Sequence, residues 1–333
     1  MRPFEKLTNR GKARRLRKLA LRALDRYDLQ VADVRLAGVY TNTLFRVRTR
    51  EGPSYILRVC TPGWRTAGDL RSEAMWLRAL HRDTEIGAPE PVPARNGDFI
   101  VEASAEGVPG PRRCLVMSWI PGPLLGSRLT KANLFKMGVL FAQLHEHGTG
   151  FAPPQGFTRR KMDHIYARGE EDVLFACHEA FTPYTREVLE RTMAAVREAF
   201  ERLYADPTGL QVIHNDLHHE NIKIDRGRLR PFDFEDTIWG YPAQDIAMAL
   251  QDLMMDVAPD AFEPLQRAFR DGYERRRPWP ERYEGQIDTF RAGRMFWVAN
   301  YVARFEREYL AGHVDWVAQR FEKFLETGRI RKS

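Results

Sequence analysis

Cysteine is scarce in this chain of 333 residues, where Cys60, Cys114 and Cys177 are the only three. They are odd in number, far apart and without metal-type spacing, which argues against a disulfide framework and for a reducing compartment. No apolar run reaches the length needed to span a bilayer, and the first thirty residues lack the apolar centre of a secretion signal. A cytoplasmic protein with no integral membrane part is therefore expected. Internal repeats and low-complexity tracts are absent as well. With 43% hydrophobic residues the chain can bury a large core, and its length suits one compact two-lobed body.

Charge is uneven along the chain. Residues 1 to 30 hold ten Lys/Arg against three Asp/Glu, which accounts for the whole formal excess of +7. Leu16, Leu19, Ala20, Ala23, Leu24 and Tyr27 recur at helical spacing, with Arg14, Arg15, Arg17, Lys18, Arg22 and Arg26 between them. That pattern predicts a basic amphipathic helix. The favoured reading is a helix docked on the rest of the protein with a solvated basic face. The other is a weak contact with anionic membrane or RNA through residues 10–26. No dedicated nucleic-acid partner is expected.

The densest chemistry lies in His214-Asn215-Asp216-Leu217-His218-His219-Glu220-Asn221, followed by Phe232-Asp233-Phe234-Glu235-Asp236. Phosphoryl transfer needs an aspartate to accept a hydroxyl proton, near an asparagine and a second aspartate that hold magnesium on nucleotide phosphates. Asp216, Asn221 and Asp233 supply those types in that order. Short strands are predicted over 210–213, 221–225 and 229–232, so the polar groups fall on strand ends and loops. His214, Asp216, His218 and His219 could also be read as the metal cluster of a hydrolase. That reading leaves Asn221 and the second acidic group unused.

His214 to His218 with Asn221, then Asp233 to Asp236, then Gly240-Tyr241-Pro242-Ala243-Gln244-Asp245-Ile246-Ala247, resembles the aminoglycoside phosphotransferase and choline kinase superfamily. The wording is similar to the branch that holds bacterial stress-response Ser/Thr kinases and type II homoserine kinases. The resemblance implies an α+β, two-lobed protein-kinase-like fold with an antiparallel-sheet N-lobe and a mostly helical C-lobe. It also implies ATP, or GTP in its place, with Mg2+, and transfer of the γ-phosphoryl group to a hydroxyl. On that match Asp216 is the catalytic base, Asn221 and Asp233 hold metal, and Asp245 braces the catalytic loop, supported by His214. Asn215 stands where the family usually has glycine. His218 occupies the place of a charge-neutralising lysine in protein kinases, and a structural imidazole is an equal reading.

The expected boundaries are a basic helix over 1–30, an N-lobe over 31–117, a hinge at 118–122 and a C-lobe over 123–333. Strands are predicted over 34–40, 42–49 and 55–59. Gly38 alone replaces a glycine-rich loop, so Thr41, Asn42 and Thr43 are the candidate phosphate donors. Arg58 takes the position of the third-strand lysine, since its guanidinium can bridge phosphates and a carboxylate. Glu73, on a helix over 69–80, is its expected partner. A buried strand from Cys114 should break at Pro121-Gly122, with Met117 gatekeeper-like or simply core, and Ser118 and Ile120 offering main-chain contacts to adenine.

After the hinge, an apolar stripe over 134–145 predicts a helix that stops at His147-Gly148. Residues 149–209 and 246–328 are expected to be mostly helical. Trp297, Tyr301, Phe305 and Tyr309 repeat at helical spacing, which reads as core packing or, less readily, as an aromatic cage for a cation. Asp252, Asp256, Glu306 and Glu308 are either pocket walls for an amino group or solvated. Only a short segment separates Asp233 from Gly240-Tyr241-Pro242, which leaves no room for control by activation-loop phosphorylation. The expected reaction is phosphorylation of a small hydroxyl compound. A stress-response-type Ser/Thr protein kinase is the alternative, and a nucleotide-binding pseudokinase is a third reading.

Overall fold

The apolar stripe of the first helix decides how the N-terminal part is built. In the computed structural model, which describes residues 2–158, 160–167 and 170–331, helix α1 runs Asn9–Leu24 and is capped by the Thr8 hydroxyl, which accepts from the Gly11 amide. Leu16, Leu19, Ala20, Ala23, Leu24 and Tyr27 are buried in one cluster with Phe45, Val47 and Leu57. The helix is thus core and not an accessory. Its basic face is partly spent at home, because the guanidinium groups of Arg15, Arg17 and Arg22 donate to the carbonyls of Gly107, Val34 and Ser104. Deleting residues 2–28 should therefore unfold this part of the molecule rather than trim it. Burial of each large side chain contributes about 1.5–3 kcal/mol. A truncated protein with a native circular dichroism spectrum and an unchanged melting midpoint would contradict this.

The chain divides into two compact units, one formed by residues 1–122, 152–158 and 230–235, the other by 123–151, 159–229 and 236–333. In the first, α1 packs beside a five-stranded antiparallel sheet in the order β1-β2-β3-β5-β4. Its strands are β1 (Val31–Val39), β2 (Thr43–Thr49), β3 (Ser54–Val59), β4 (Ile100–Ala103) and β5 (Arg112–Ser118). Helix α2 spans Ala67–Asp83 between β3 and β4, and a capping box of Thr66 and Asp69 starts it. Strand β5 ends at Ser118, before the expected break at Pro121-Gly122, although the Trp119 amide still donates to the Ser54 carbonyl of β3.

The second unit is mostly helical. Helix α3 (Lys131–Gly150) crosses α6 (Pro259–Glu274) at very close range. A Cβ on Gly138 would fall 1.9 Å from the Phe269 carbonyl oxygen, and one on Gly272 would fall 1.9 Å from that of Phe135. The expected stop at Gly148 is wrong, since α3 continues to Gly150. Gly148 is needed for approach, as a Cβ there would lie 2.4 Å from the Val212 carbonyl oxygen. The expectation of mostly helical structure over 149–209 also fails. Among the described residues after α3, the one helical piece before α4 (Pro183–Ala205) is a 3-10 turn at His178–Ala180. Pro153-Pro154 removes two amide donors from the first stretch, and Pro183 starts α4 at its first turn.

Strands β6 (Gln211–Ile213), β7 (Ile222–Asp225), β8 (Arg228–Pro231) and β9 (Ile238–Gly240) form two small ladders, β6 with β9 and β7 with β8. Helices α5 (Pro242–Asp256), α7 (Gln286–Phe305) and α8 (Leu310–Thr327) complete the unit, as the pattern over 246–328 predicts. Among the described residues, no helix is long and apolar enough to cross a membrane.

Candidate active site

In the second unit, the loop between β6 and β7 is fixed from below by one buried carboxylate. Asp245, in the first turn of α5, accepts the backbone amides of His214 at 3.3 Å and Asn215 at 2.7 Å. These bonds hold Asn215 at φ 65°, a left-handed conformation that asparagine tolerates better than most residues. The turn that glycine usually makes in the resembled family is therefore made here by Asn215. Asp216 follows half-buried, its amide donating to His214 Nδ1 at 3.3 Å. Asn221 closes the loop by donating its side-chain N–H to the Asp216 carbonyl at 2.8 Å and to Asp216 Oδ2 at 3.2 Å. With its nitrogen committed in this way, Asn221 presents its amide oxygen, a hard donor of the kind magnesium takes.

His145 of α3 supports Asp245 from the other side. Its Nε2 lies 3.1 Å from Asp245 Oδ2 and its Nδ1 3.0 Å from the Tyr273 hydroxyl. Because a carboxylate can only accept, the proton sits on Nε2 and Nδ1 accepts from tyrosine. Burial pushes the His145 pKa below the ordinary histidine value, with Asp245 pulling the other way. The unfolded chain therefore binds the proton first as pH falls. This contribution to stability is complete above about pH 6.5 and is lost below it. The melting midpoint should drop as pH falls below about 6.5, and His145→Gln should flatten that drop. An identical slope in the variant would exclude His145 as its source.

The other histidines of the motif do not converge. His218 Nδ1 accepts the Glu220 amide at 3.3 Å and lies 3.9 Å from Asp252 Oδ2. His219 is buried with Nε2 at 2.8 Å from Asp256 Oδ2, and His214 is fully buried inside the loop. Among the described residues, no three His, Cys, Asp or Glu side chains are grouped as a metal cage. The hydrolase-type cluster is therefore not formed. Magnesium does not require such a cage, since it is usually held by one or two carboxylates together with substrate phosphates.

In the first unit, Arg58 and Glu73 form a buried ion pair, their side chains 2% and 1% exposed. Arg58 Nη1 also lies 3.5 Å from Glu235 and 3.7 Å from Asp233. Burial opposes the guanidinium charge, but Glu73 and Glu235 more than offset it and hold the Arg58 pKa well above the usual arginine range. Asp233 is at φ 65° with its side chain 44% exposed, so one strained residue turns its carboxylate outward while Glu235 turns in. A cavity of about 120 Å³ is lined by Thr41, Asn42, Arg58, Met117, Asp233 and Glu235 among others. Ser118 and Ile120 do not line it. The Ser118 amide donates to the Glu90 carbonyl and its hydroxyl accepts from the Glu90 amide, which leaves the carbonyl as the main-chain group it can offer.

The Asn42 side chain is engaged through both of its polar atoms. Its nitrogen donates to Glu235 Oε2 at 2.6 Å and its oxygen accepts the Thr61 amide at 3.0 Å. Thr43 is buried in β2, and the Thr41 carbonyl accepts from the Thr61 hydroxyl. Glu235, which the motif contains but which sequence reading gives no role, is the hub. It receives Asn42 and the Trp64 indole N–H at 3.1 Å. Only its place two residues after Asp233 marks it in the sequence.

The aromatic stripe is not core. Tyr301, Phe305 and Tyr309 are 45%, 62% and 66% exposed, and along α7 Trp297 stacks on Tyr301, which meets Phe305 at a tilt of 47°. The packing face of that helix is instead Phe290, Met295, Phe296 and Ala299. Arg294 lies over the Trp297 ring at 4.4 Å and 3.7 Å from Asp252. Burial pushes the Asp252 pKa up, while Arg294 and His218 pull it down. Glu306 and Glu308 are exposed. Asp252 follows Asp245 by two helical turns, the spacing that brings both to one side of α5.

Residues 34–279 match the model of the phosphotransferase enzyme family, APH. An amicoumacin kinase of Bacillus subtilis is 24% identical over 234 residues, covering 70% of this chain and 66% of its own length. Among solved structures, a microcompartment-associated aminopropanol kinase superposes with a TM-score of 0.79 at 23% identity, over 95% of this chain and 99% of the other. An amicoumacin kinase in complex with AMP-PNP, Ca2+ and amicoumacin gives 0.76 at 18% identity, over 96% and 100%. The five-stranded antiparallel sheet, the helical second unit and these superpositions define an α+β protein-kinase-like fold. With the family model covering most of its length, the chain belongs to the phosphotransferase enzyme family.

Proposed function

We propose that the protein moves the γ-phosphoryl group of ATP, with magnesium, to a hydroxyl of a small molecule. The observation that carries this is the loop fixed by Asp245, in which Asn221 is hydrogen-bonded to Asp216. In this reading Asp216 accepts the acceptor's hydroxyl proton, and its bond to Asn221 fixes the direction of its carboxylate. Asn221 and Asp233 would hold magnesium, which supplies charge neutralisation on the phosphates. Arg58 meets the phosphates from the wall of its cavity, with Glu73 and Glu235 keeping it in place. Met117 closes the same cavity with an apolar side chain, Thr41 is at its mouth, and His218 flanks the transferred group.

The preference for a small acceptor draws support from the relatives, an aminopropanol kinase and an amicoumacin kinase. The short link from Asp233 to α5 at Pro242 has no room for an activation loop, which bears on control by loop phosphorylation and not on the choice of acceptor. Labelled ATP and magnesium with a panel of amino alcohols, sugars and aminoglycosides should give a phosphorylated product. Labelling only of Ser or Thr in added proteins would replace this reading with a protein kinase. No nucleotide turnover with either class would point to a pseudokinase.

A further inference from the structure

On the second unit, a cavity of about 400 Å³ opens between α6, the first turns of α7 and the segment after α8. None of the residues assigned to phosphoryl transfer lines it. Five arginines and three carboxylates do, and two of the arginines, Arg270 and Arg329, are paired with Glu274 and Glu284 outside the lining. The carboxylates are already largely committed. Glu281 accepts from the Trp279 indole N–H and the Ile287 amide, Asp288 pairs with Arg291 and Arg329, and only Glu263 is an exposed rim residue without such a bond. Arg270 is paired with Glu274. Among the described residues, Arg267 and Arg331 are exposed and have no carboxylate within ion-pair distance.

The innermost cation is Arg291, 1% exposed. Its Nη1 donates to Asp288 and the Ile330 carbonyl, its Nη2 meets the Met254 sulfur, and its Nε is buried with no acceptor. A buried guanidinium with an unused N–H is costly, and burial pulls its pKa down. Trp279 supplies an aromatic wall, already covered on one side by Arg270 at 5.2 Å. Cations arriving from α6, α7 and the C-terminal segment suit a compact dianion that can accept from several guanidinium groups at once.

We propose that this cavity binds a small phosphate-bearing molecule, held by Arg267, Arg291 and Arg331 with Trp279 as its flat wall. Such a ligand competes with Met254 for the Arg291 guanidinium. Met254 lies on α5, the helix that carries Asp245, so the site reaches the catalytic-loop support through one side chain.

The test is calorimetric titration of the full-length protein with inorganic phosphate, pyrophosphate and glucose 6-phosphate, with glucose as the uncharged control. At least one of the three anions should bind in a salt-sensitive manner, glucose should not, and Arg267→Glu/Arg331→Glu should weaken binding about tenfold or more. Both positions are exposed. Arg267→Gln/Arg331→Gln takes their place should the charge reversal misfold. No binding by any of the three anions up to about 10 mM, or the same affinity in the folded double variant, would overturn the proposal. The second outcome would place the anion in the nucleotide cavity instead.

Discussion

Asp216→Ala should lower turnover by about 10²–10⁴, the range that a positioned general base supplies, while nucleotide affinity stays near that of the unaltered protein. Its carboxylate is half-buried and bonded to Asn221 within the second unit. Asp233→Ala should behave differently. It removes an outward-facing carboxylate from the wall of the cavity that contains Arg58, so metal-dependent nucleotide binding should fall together with turnover. Equilibrium binding of a non-hydrolysable ATP analogue beside steady-state rates separates the two. Retained turnover in Asp216→Ala, or nucleotide affinity unaffected by Asp233→Ala, would remove the corresponding assignment.

The Arg58 pair should separate stability from binding. Glu73→Ala leaves a buried guanidinium with Glu235 3.5 Å away as its nearest remaining compensation. Removing one partner of a buried ion pair costs about 3–5 kcal/mol, and the lower end is expected here because Glu235 stays. An arginine cannot escape the penalty by losing its proton, whereas a buried glutamate can gain one. Arg58→Ala should therefore cost less stability than Glu73→Ala but more nucleotide affinity. Denaturant unfolding and nucleotide titration of both variants check the order. Equal small losses in both measurements would return the pair to an ordinary structural contact.

The loop around Asp216 was readable because its residues are contiguous and chemically distinctive, with Asp216 and Asn221 five positions apart and Asp245 on the next helix. The Arg58–Glu73 pair was readable because a strand followed by an amphipathic helix puts the two on facing elements. Glu235 was not, since its partners Asn42 and Trp64 are 193 and 171 residues distant, and no local pattern encodes such pairings. The helical stripe 297–309 misled because periodicity finds one face of a helix without saying which face is covered. Gly148 misled for a similar reason. A glycine near a helix end signals a stop or a close neighbour, and only the position of Val212 decides between them.

Residues 230–235 belong to the first unit although they come more than a hundred positions after its main segment ends at 122. They bring Phe234, whose ring meets the fully buried Trp76 at 5.3 Å, and Glu235, which receives Asn42 and Trp64. During synthesis the first 122 residues leave the ribosome without these partners. At about 5–20 residues per second the wait lasts roughly 6–20 s. Through that interval Trp76 lacks its edge-on neighbour and the Arg58–Glu73 pair lacks its second carboxylate. The nascent chain therefore holds an unfinished apolar face for seconds, long enough for a chaperone to occupy it, and the first unit becomes native only after the loop around Asp216 has already been made.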